Sequence, residues 1–251
     1  MDELFTPRAT IEHFVERRGI RVEDIGVAPF VIVSWGHRVI EQMATRIGAR
    51  RSENWLYGER QPFFTGELEG KALSLVEMPV GAPGTVMIME ELIACGAKSF
   101  IGLGWAGSLQ PEASIGSFFI PTSCISEEGT SAHYLDHDTD LRADPNLAEA
   151  LEIASSDEGV LIRKGPQWTT DAPYRELREK VKLYREVGVL GVDMETLAMY
   201  ALASFRGIKV CNLLVVSDVL DREWQLGFGT TALKRANEIA QRVVLRSIFA
   251  S

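Results

Sequence analysis

An α/β fold is predicted: one domain with a central, mostly parallel mixed β-sheet flanked by helices. Three observations carry it. Short β-branched or aromatic runs alternate with longer stretches of helical periodicity. No Pro/Ser-rich linker, repeat or low-complexity segment divides the 251 residues. A chain of this size buries about 70% of its unfolded surface, enough for one core without metal or disulfide staples. The domain is expected to span 1–251, with 1–25 as an N-terminal helix and extension.

A first helix is expected over 8–19 and a first buried strand over 30–33, Phe-Val-Ile-Val. A helix over 37–47 follows, then a strand over 72–76 and a helix over 84–95, with Gly96 placed as its C-terminal cap. Strands over 100–103 and 117–120 come next, then helices over 146–156, 174–187 and 195–206, the last closed by Gly207. A very apolar strand over 210–216 precedes a helix over 230–248, which Thr230-Thr231 can cap. Along that helix Leu233, Ala236, Ile239, Ala240, Val243 and Val244 form a stripe that packs on a core.

Composition excludes several classes. With 26 Lys and Arg against 35 Asp and Glu, the net charge is −9, and the densest basic groups are pairs (Arg17-Arg18, Arg50-Arg51, Arg163-Lys164). A nucleic-acid or anionic-membrane footprint needs a sustained basic patch, so neither partner is expected. Any anionic substrate must be held by a few local Arg or Lys residues against the overall field. The three cysteines, Cys95, Cys124 and Cys211, lack C-x-x-C spacing and sit in apolar contexts as small buried hydrophobes. The N-terminal sequence has no basic-then-apolar leader pattern, and the expectation is a cytoplasmic protein.

In open α/β sheets ligands gather at the carboxyl ends of strands, which directs attention to five segments. Ser34-Trp35-Gly36-His37-Arg38 opens a helix after a buried strand; its free N–H groups with Ser34, Gly36 and Arg38 fit an anion site, or an ordinary turn. Met78-Pro79-Val80-Gly81-Ala82-Pro83-Gly84-Thr85 is a second strand-to-helix turn without dinucleotide or phosphate-loop spacing. The run 100–107 carries Gly102, Gly104 and Gly107, and glycine weakens a strand unless something approaches closely. That makes Gly104, Trp105 and Ala106 candidates to line a ligand; tight sheet–helix packing is the alternative.

Gly191-Val192-Asp193-Met194-Glu195-Thr196 sets two carboxylates before an apolar helix. They are either a pair of acceptors for vicinal hydroxyls or helix-capping groups. Asp218, in Val215-Val216-Ser217-Asp218, ends a very apolar strand, where desolvation favours the protonated form that suits a general acid; capping the next turn is the alternative. His133 and His137 have i, i+4 spacing but no third ligand in view, so no metal site is expected. A Gly-x-Ser-x-Gly elbow is missing, which leaves covalent hydrolysis without support.

Taken together, these segments resemble the nucleoside phosphorylase family, whose α/β fold serves purine and uridine phosphorylases and related nucleosidases. The resemblance runs from about 32 to 248 in order. It is strongest at Thr169-Thr170-Asp171-Ala172-Pro173-Tyr174, at 188–196, and at Leu213-Leu214-Val215-Val216-Ser217-Asp218. Gly107-Ser108-Leu109-Gln110-Pro111 and the segment 127–134 lean toward the uridine phosphorylase branch.

The resemblance implies a pentosyltransferase that cleaves the N-glycosidic bond of a purine or pyrimidine nucleoside with phosphate, giving free base and ribose 1-phosphate. It implies that Glu195 accepts the ribose hydroxyls, Met194 packs beneath the sugar, Trp168 lies against the base and Asp218 assists base departure. Arg38 falls on the phosphate-binding Arg, and Arg60 near an Arg that the family lends to a neighbouring subunit. No metal or organic cofactor is implied, and a homo-oligomer, a dimer or trimer of dimers, is. Three departures stand out: the phosphate loop reads Ser34-Trp35-Gly36-His37-Arg38, Gly102 stands where a second phosphate-binding Arg belongs, and Trp105 replaces a Thr. Losing an Arg–phosphate pair removes a strong contact, so a hydrolytic nucleosidase remains the alternative, with a non-catalytic nucleoside-binding protein behind it.

Overall fold

The computed structural model describes residues 4–135 and 141–250. Its contacts divide into two compact units, the first comprising 1–79 and 84–100, the second 80–83 and 101–251.

The first unit opens with α1 (Pro7–Arg18), whose Thr6 Oγ1 accepts from the Ala9 N–H and whose Gly19 closes it at φ 64°. Strand β1 (Phe30–Ser34) is followed by α2 (His37–Ile47), which buries Val39, Ile40, Met43 and Ala44 as one stripe. The expected 3.6-residue pattern is that stripe. Then come β2 (Arg50–Arg51), β3 (Phe63–Leu68), β4 (Lys71–Glu77) and α3 (Ala82–Ala94). The strands lie in the order β1-β4-β3-β2. β1 and β4 are parallel, from Phe30 opposite Leu73 to Ser34 opposite Glu77, and the other two pairs are antiparallel.

Strand β5 (Ser99–Ser108) begins in the first unit and continues in the second. The second unit adds β6 (Phe118–Glu127), α4 (Pro145–Asp157), β7 (Ile162–Thr170), α5 (Arg178–Glu186) and β8 (Gly191–Asp193). It finishes with α6 (Thr196–Arg206), β9 (Lys209–Leu220), β10 (Trp224–Leu226) and α7 (Thr231–Ala250). Strand order is β10-β9-β6-β7-β8-β5, and β9 also pairs with β5, so the row from β9 to β5 closes on itself. β7 is parallel to β6 and β8, whereas β5–β8, β6–β9 and β9–β10 are antiparallel: the sheet is mixed.

Helix α6 is buried at every position from Thr196 to Ala203, as an apolar-all-round helix must be. Thr230 Oγ1 accepts from the Leu233 N–H and so caps α7 as expected. Two differences from the sequence reading have local causes. The helix expected over 174–187 starts at Arg178, because Pro173–Arg175 forms a 3-10 turn and Leu177 is extended at ψ 141°. β7 escaped notice because it is polar and carries Pro166; the ladder with β6 shifts register between Pro121 and Ser123, and an irregular step is where a strand tolerates proline.

Candidate active site

Strand β8 is only three residues long, and its end sets up the carboxylates. Asp193 is buried and both its oxygens are taken up within the protein. Thr169 Oγ1 donates to Oδ1 at 2.8 Å, and the Thr196 hydroxyl donates to Oδ2. The Thr196 N–H adds a longer bond to Oδ1 at 3.4 Å, so Asp193 serves the first turn of α6. Asn212 on β9 extends the network, Nδ2 to Thr196 Oγ1 at 2.9 Å. A filled network of this kind rigidifies what it surrounds.

Glu195, two residues on, is placed differently. It stands at the N-cap position of α6, yet its side chain does not cap the helix. Its Oε1 accepts from the Gly81 N–H at 2.7 Å and its Oε2 from the Met194 N–H at 3.3 Å. A carboxylate has about four acceptor positions, so two remain for hydroxyl donors. Burial, with Asp193 nearby, pushes Glu195 up to about 8, and burial alone carries Asp193 up to about 6 against the bonds from Thr196 and Thr169. The two carboxylates therefore differ: Asp193 spends both oxygens on Thr169 and the start of α6, and Glu195 keeps acceptor positions open. Met194 between them is half-buried.

Asp218 lies on β9, partly exposed, with both oxygens engaged: Ser217 Oγ donates to Oδ1 at 2.7 Å and Trp224 Nε1 to Oδ2 at 2.8 Å. Beside it runs β5 at Gly107, which is paired with Val192 of β8. A Cβ at Gly107 would lie 3.2 Å from Asp218 Oδ2 and 3.3 Å from Val192 Cγ1, and it would collide with Leu220 Cδ1. The glycine is the space in which the acid and the β8 segment meet. Gly107→Ala is accordingly expected to push Leu220 or Asp218 aside. Overpacking typically costs about 1–3 kcal/mol, so thermal unfolding should come several degrees lower, with a drop in turnover. Unchanged unfolding and turnover would contradict this placement.

The remaining candidates of this unit differ in exposure. Gly104 and Ala106 are buried on β5, Ala106 within the cluster of Phe119, Leu214, Val216 and Val219. Trp105 is partly buried, its Nε1 donating to Asn237 Oδ1 at 3.0 Å and its ring edge-on to Phe228 at 6.0 Å. Trp168 is fully enclosed: 0% exposed, edge-on to Tyr184, and packed with Leu109, Val181, Val189 and Val192. It is a core residue in this structure, with no open face for a base; a nearly all-apolar ring of neighbours holds it there.

In the first unit, Ser34 ends β1 fully buried and its Oγ accepts from the Gly36 N–H at 3.4 Å. Gly36 is the N-cap of α2, and Arg38 is exposed in the first turn. Trp35 is pinned by its Nε1 to Thr85 Oγ1 at 2.9 Å. His37 lies 2.7 Å from Glu77 Oε2 through Nδ1 and 3.1 Å from Glu41 Oε1 through Nε2; the Glu77 contact raises its affinity for a proton. The N-terminus of α2 with the Arg38 guanidinium is suited to an anion, while His37 is committed to two carboxylates. Arg60 is exposed at the end of the 3-10 turn Gly58–Arg60.

Sequence reasoning missed Thr169, which bonds Asp193, Asn212, which bonds Thr196 beside it, and Trp224, which bonds Asp218. The sequence signal for the first was the Thr-Thr-Asp motif; nothing in the spacing flagged the other two. Among the described residues no group of three or more His, Cys, Asp or Glu side chains is arranged for a metal ion, and His137 lies outside those residues. Cys95, Cys124 and Cys211 are free thiols; Cys211 is buried and the other two partly so.

Comparison with known proteins places this architecture. The family model described as the phosphorylase superfamily matches residues 31–248, and the chain belongs to that superfamily. DeoD-type purine nucleoside phosphorylases of Bacillus cereus and Bacillus thuringiensis (strain Al Hakam) are each 32% identical over 157 residues, 62% of this chain and 67% of theirs. Among solved structures, purine nucleoside phosphorylase from Toxoplasma gondii in complex with immucillin-H superposes with a TM-score of 0.81 at 24% identity, covering 91% of this chain and 92% of the other. Uridine phosphorylase from Vibrio fischeri ES114 gives 0.80 at 22% identity over 91% and 94%. The last two share the fold.

Proposed function

We propose that the chain is a nucleoside phosphorylase: a pentosyltransferase that cleaves a nucleoside with inorganic phosphate, giving free base and ribose 1-phosphate. The observation that carries the reading is the meeting of Asp218 with the β5–β8 pair at Gly107, a short step along the chain from the buried acceptor Glu195. Membership of the superfamily and the names of the Bacillus relatives support it.

In this reading Glu195 accepts the ribose hydroxyls, Met194 packs beneath the sugar, and Asp193 holds the start of α6 in place. Gly104, Trp105 and Ala106 line the substrate, whereas Trp168, enclosed in the core, does not touch the base. As a phosphate oxygen bonds to C1′, the C1′–N bond breaks; its electron pair passes to the base nitrogen, which Asp218 protonates. The sugar passes through an oxocarbenium-like state, as in O-glycoside cleavage, and nearby phosphate stabilises its positive charge. Ser34, Gly36, Arg38 and Arg60 bind the phosphate. The chain works as one phosphorylase-like domain over 1–251 with 1–25 as its N-terminal extension. It assembles as a homo-oligomer, a dimer or trimer of dimers, in the cytoplasm, and needs no metal or organic cofactor. Among the described residues no helix is long and apolar enough to cross a membrane.

Hydrolysis is the second reading, favoured by Gly102 and Trp105. The indole at 105 is engaged with Asn237 and Phe228 rather than offering a hydroxyl to phosphate. Base release from inosine, adenosine and uridine in phosphate buffer tests whether the site turns nucleosides over at all. At least one is expected to be cleaved, the best of them naming the base class. Binding without release from any would favour the non-catalytic alternative.

A further inference from the structure

The bond from Trp224 to Asp218 has no counterpart in the function just described. Trp224 opens β10, and its exposed indole (64%) reaches the acid diagonally across the antiparallel pair in which Leu226, not Trp224, stands opposite Asp218. Diagonal neighbours of this kind are within reach of a long aromatic side chain. An exposed tryptophan that turns its only polar atom to a carboxylate oxygen at 2.8 Å, while Ser217 Oγ takes the other oxygen at 2.7 Å, leaves the carboxylate plane fixed from both sides.

We propose that Trp224 is a positioning residue for Asp218, its indole N–H holding Oδ2 so that the carboxyl faces the departing base. The role in turnover rests on the phosphorylase reading; the hydrogen bond itself does not. Each oxygen of Asp218 keeps a second acceptor position, so the indole orients the group without closing it.

The electrostatic surroundings have a definite sign. Glu176, just after the 3-10 turn, faces Asp218 and is pushed up to about 7 by its own burial and by Asp218. Asp221, just after β9, is paired with Arg185 of α5 at 3.0 Å, and Arg178 of α5 donates to the Arg222 carbonyl at 2.6 Å. Glu223 precedes Trp224 in the same turn. Removing the indole leaves Asp218 with Ser217 as its remaining side-chain donor, beside a second carboxyl.

Trp224→Phe keeps an aromatic ring and deletes the N–H. Turnover number is expected to fall about tenfold with KM changed less than about threefold. Trp224→His restores a ring N–H and should recover part of the lost turnover. A Trp224→Phe enzyme that changed only KM would overturn the proposal and make Trp224 a mere contact for the base. The hydrogen bond is read separately, without turnover. The indole N–H resonance absent from Trp224→Phe should move with pH in the free wild-type protein and keep that movement in Glu176→Gln. It should shift and lose its pH dependence in Asp218→Asn. A resonance indifferent to Asp218→Asn overturns the proposal whatever the activity, whereas a responding resonance in a protein that cleaves no nucleoside would retain the bond and remove the phosphorylase reading.

Discussion

Asp218→Asn is expected to lower turnover by about 10²–10⁴-fold, the range typical of losing a positioned acid. The substitution keeps size; the amide oxygen can still accept from the Trp224 indole while the Ser217 hydroxyl turns to accept from the amide NH2, so the fold is expected to survive. What disappears is the proton for the leaving base. KM should change little, because the group acts on the base as it departs. The variant is best measured with a natural nucleoside and, beside it, with a nucleoside whose leaving group needs no protonation. The loss should shrink sharply on the second. An equal loss on both would mean that Asp218 organises the site and donates no proton. Unimpaired turnover of the natural nucleoside would instead assign it no part in the reaction.

The second large effect is expected at Glu195→Gln. Hydrogen bonds to a charged acceptor contribute about 1.5–3 kcal/mol each, so replacing the carboxylate should cost about 10–100-fold in kcat/KM for a riboside. The pH dependence fixes the sign. Glu195 is pushed from 4.5 to about 8, so ribose hydroxyls, which prefer the ionised acceptor, should bind better as pH rises through about 8. That rise should be missing in Glu195→Gln. Stability runs the other way. A carboxyl whose folded value lies above its unfolded one contributes stability that is fully present below about 4.5 and is lost as pH rises through about 8. Glu195→Gln should therefore unfold at a higher temperature than wild type near pH 8–9 and lose that advantage near pH 4. A variant with wild-type kcat/KM and an unchanged stability profile would place Glu195 outside the site.

Much of this was legible in the residues because the signals were local. The strand–helix pair β1 and α2 shows itself as an apolar run followed by a 3.6-residue stripe, and Gly207 ends α6 at φ 63° as a helix-terminating glycine should. β7 and β8 were hidden for opposite reasons: one is polar and carries a proline at an irregular step, the other is three residues long. The closure of β9 onto β5 depends on pairings distant in sequence, which periodicity does not encode. At the candidate site, Glu195 and Asp218 could be picked out as carboxylates close to strand ends. The division of labour between Asp193 and Glu195 could not, because it depends on Thr169, Thr196 and Asn212 converging from three elements. Trp168 teaches the complementary point: an aromatic residue at a motif position is enclosed here by Tyr184 and its apolar neighbours.

The most direct test of the central claim is the fate of the sugar. Base release from the best nucleoside should be followed with and without inorganic phosphate, with ribose 1-phosphate and free ribose quantified against the base. The account predicts that release requires phosphate and that ribose 1-phosphate appears mole for mole with the base. Free ribose formed at an undiminished rate without phosphate would contradict it and make the enzyme a nucleosidase.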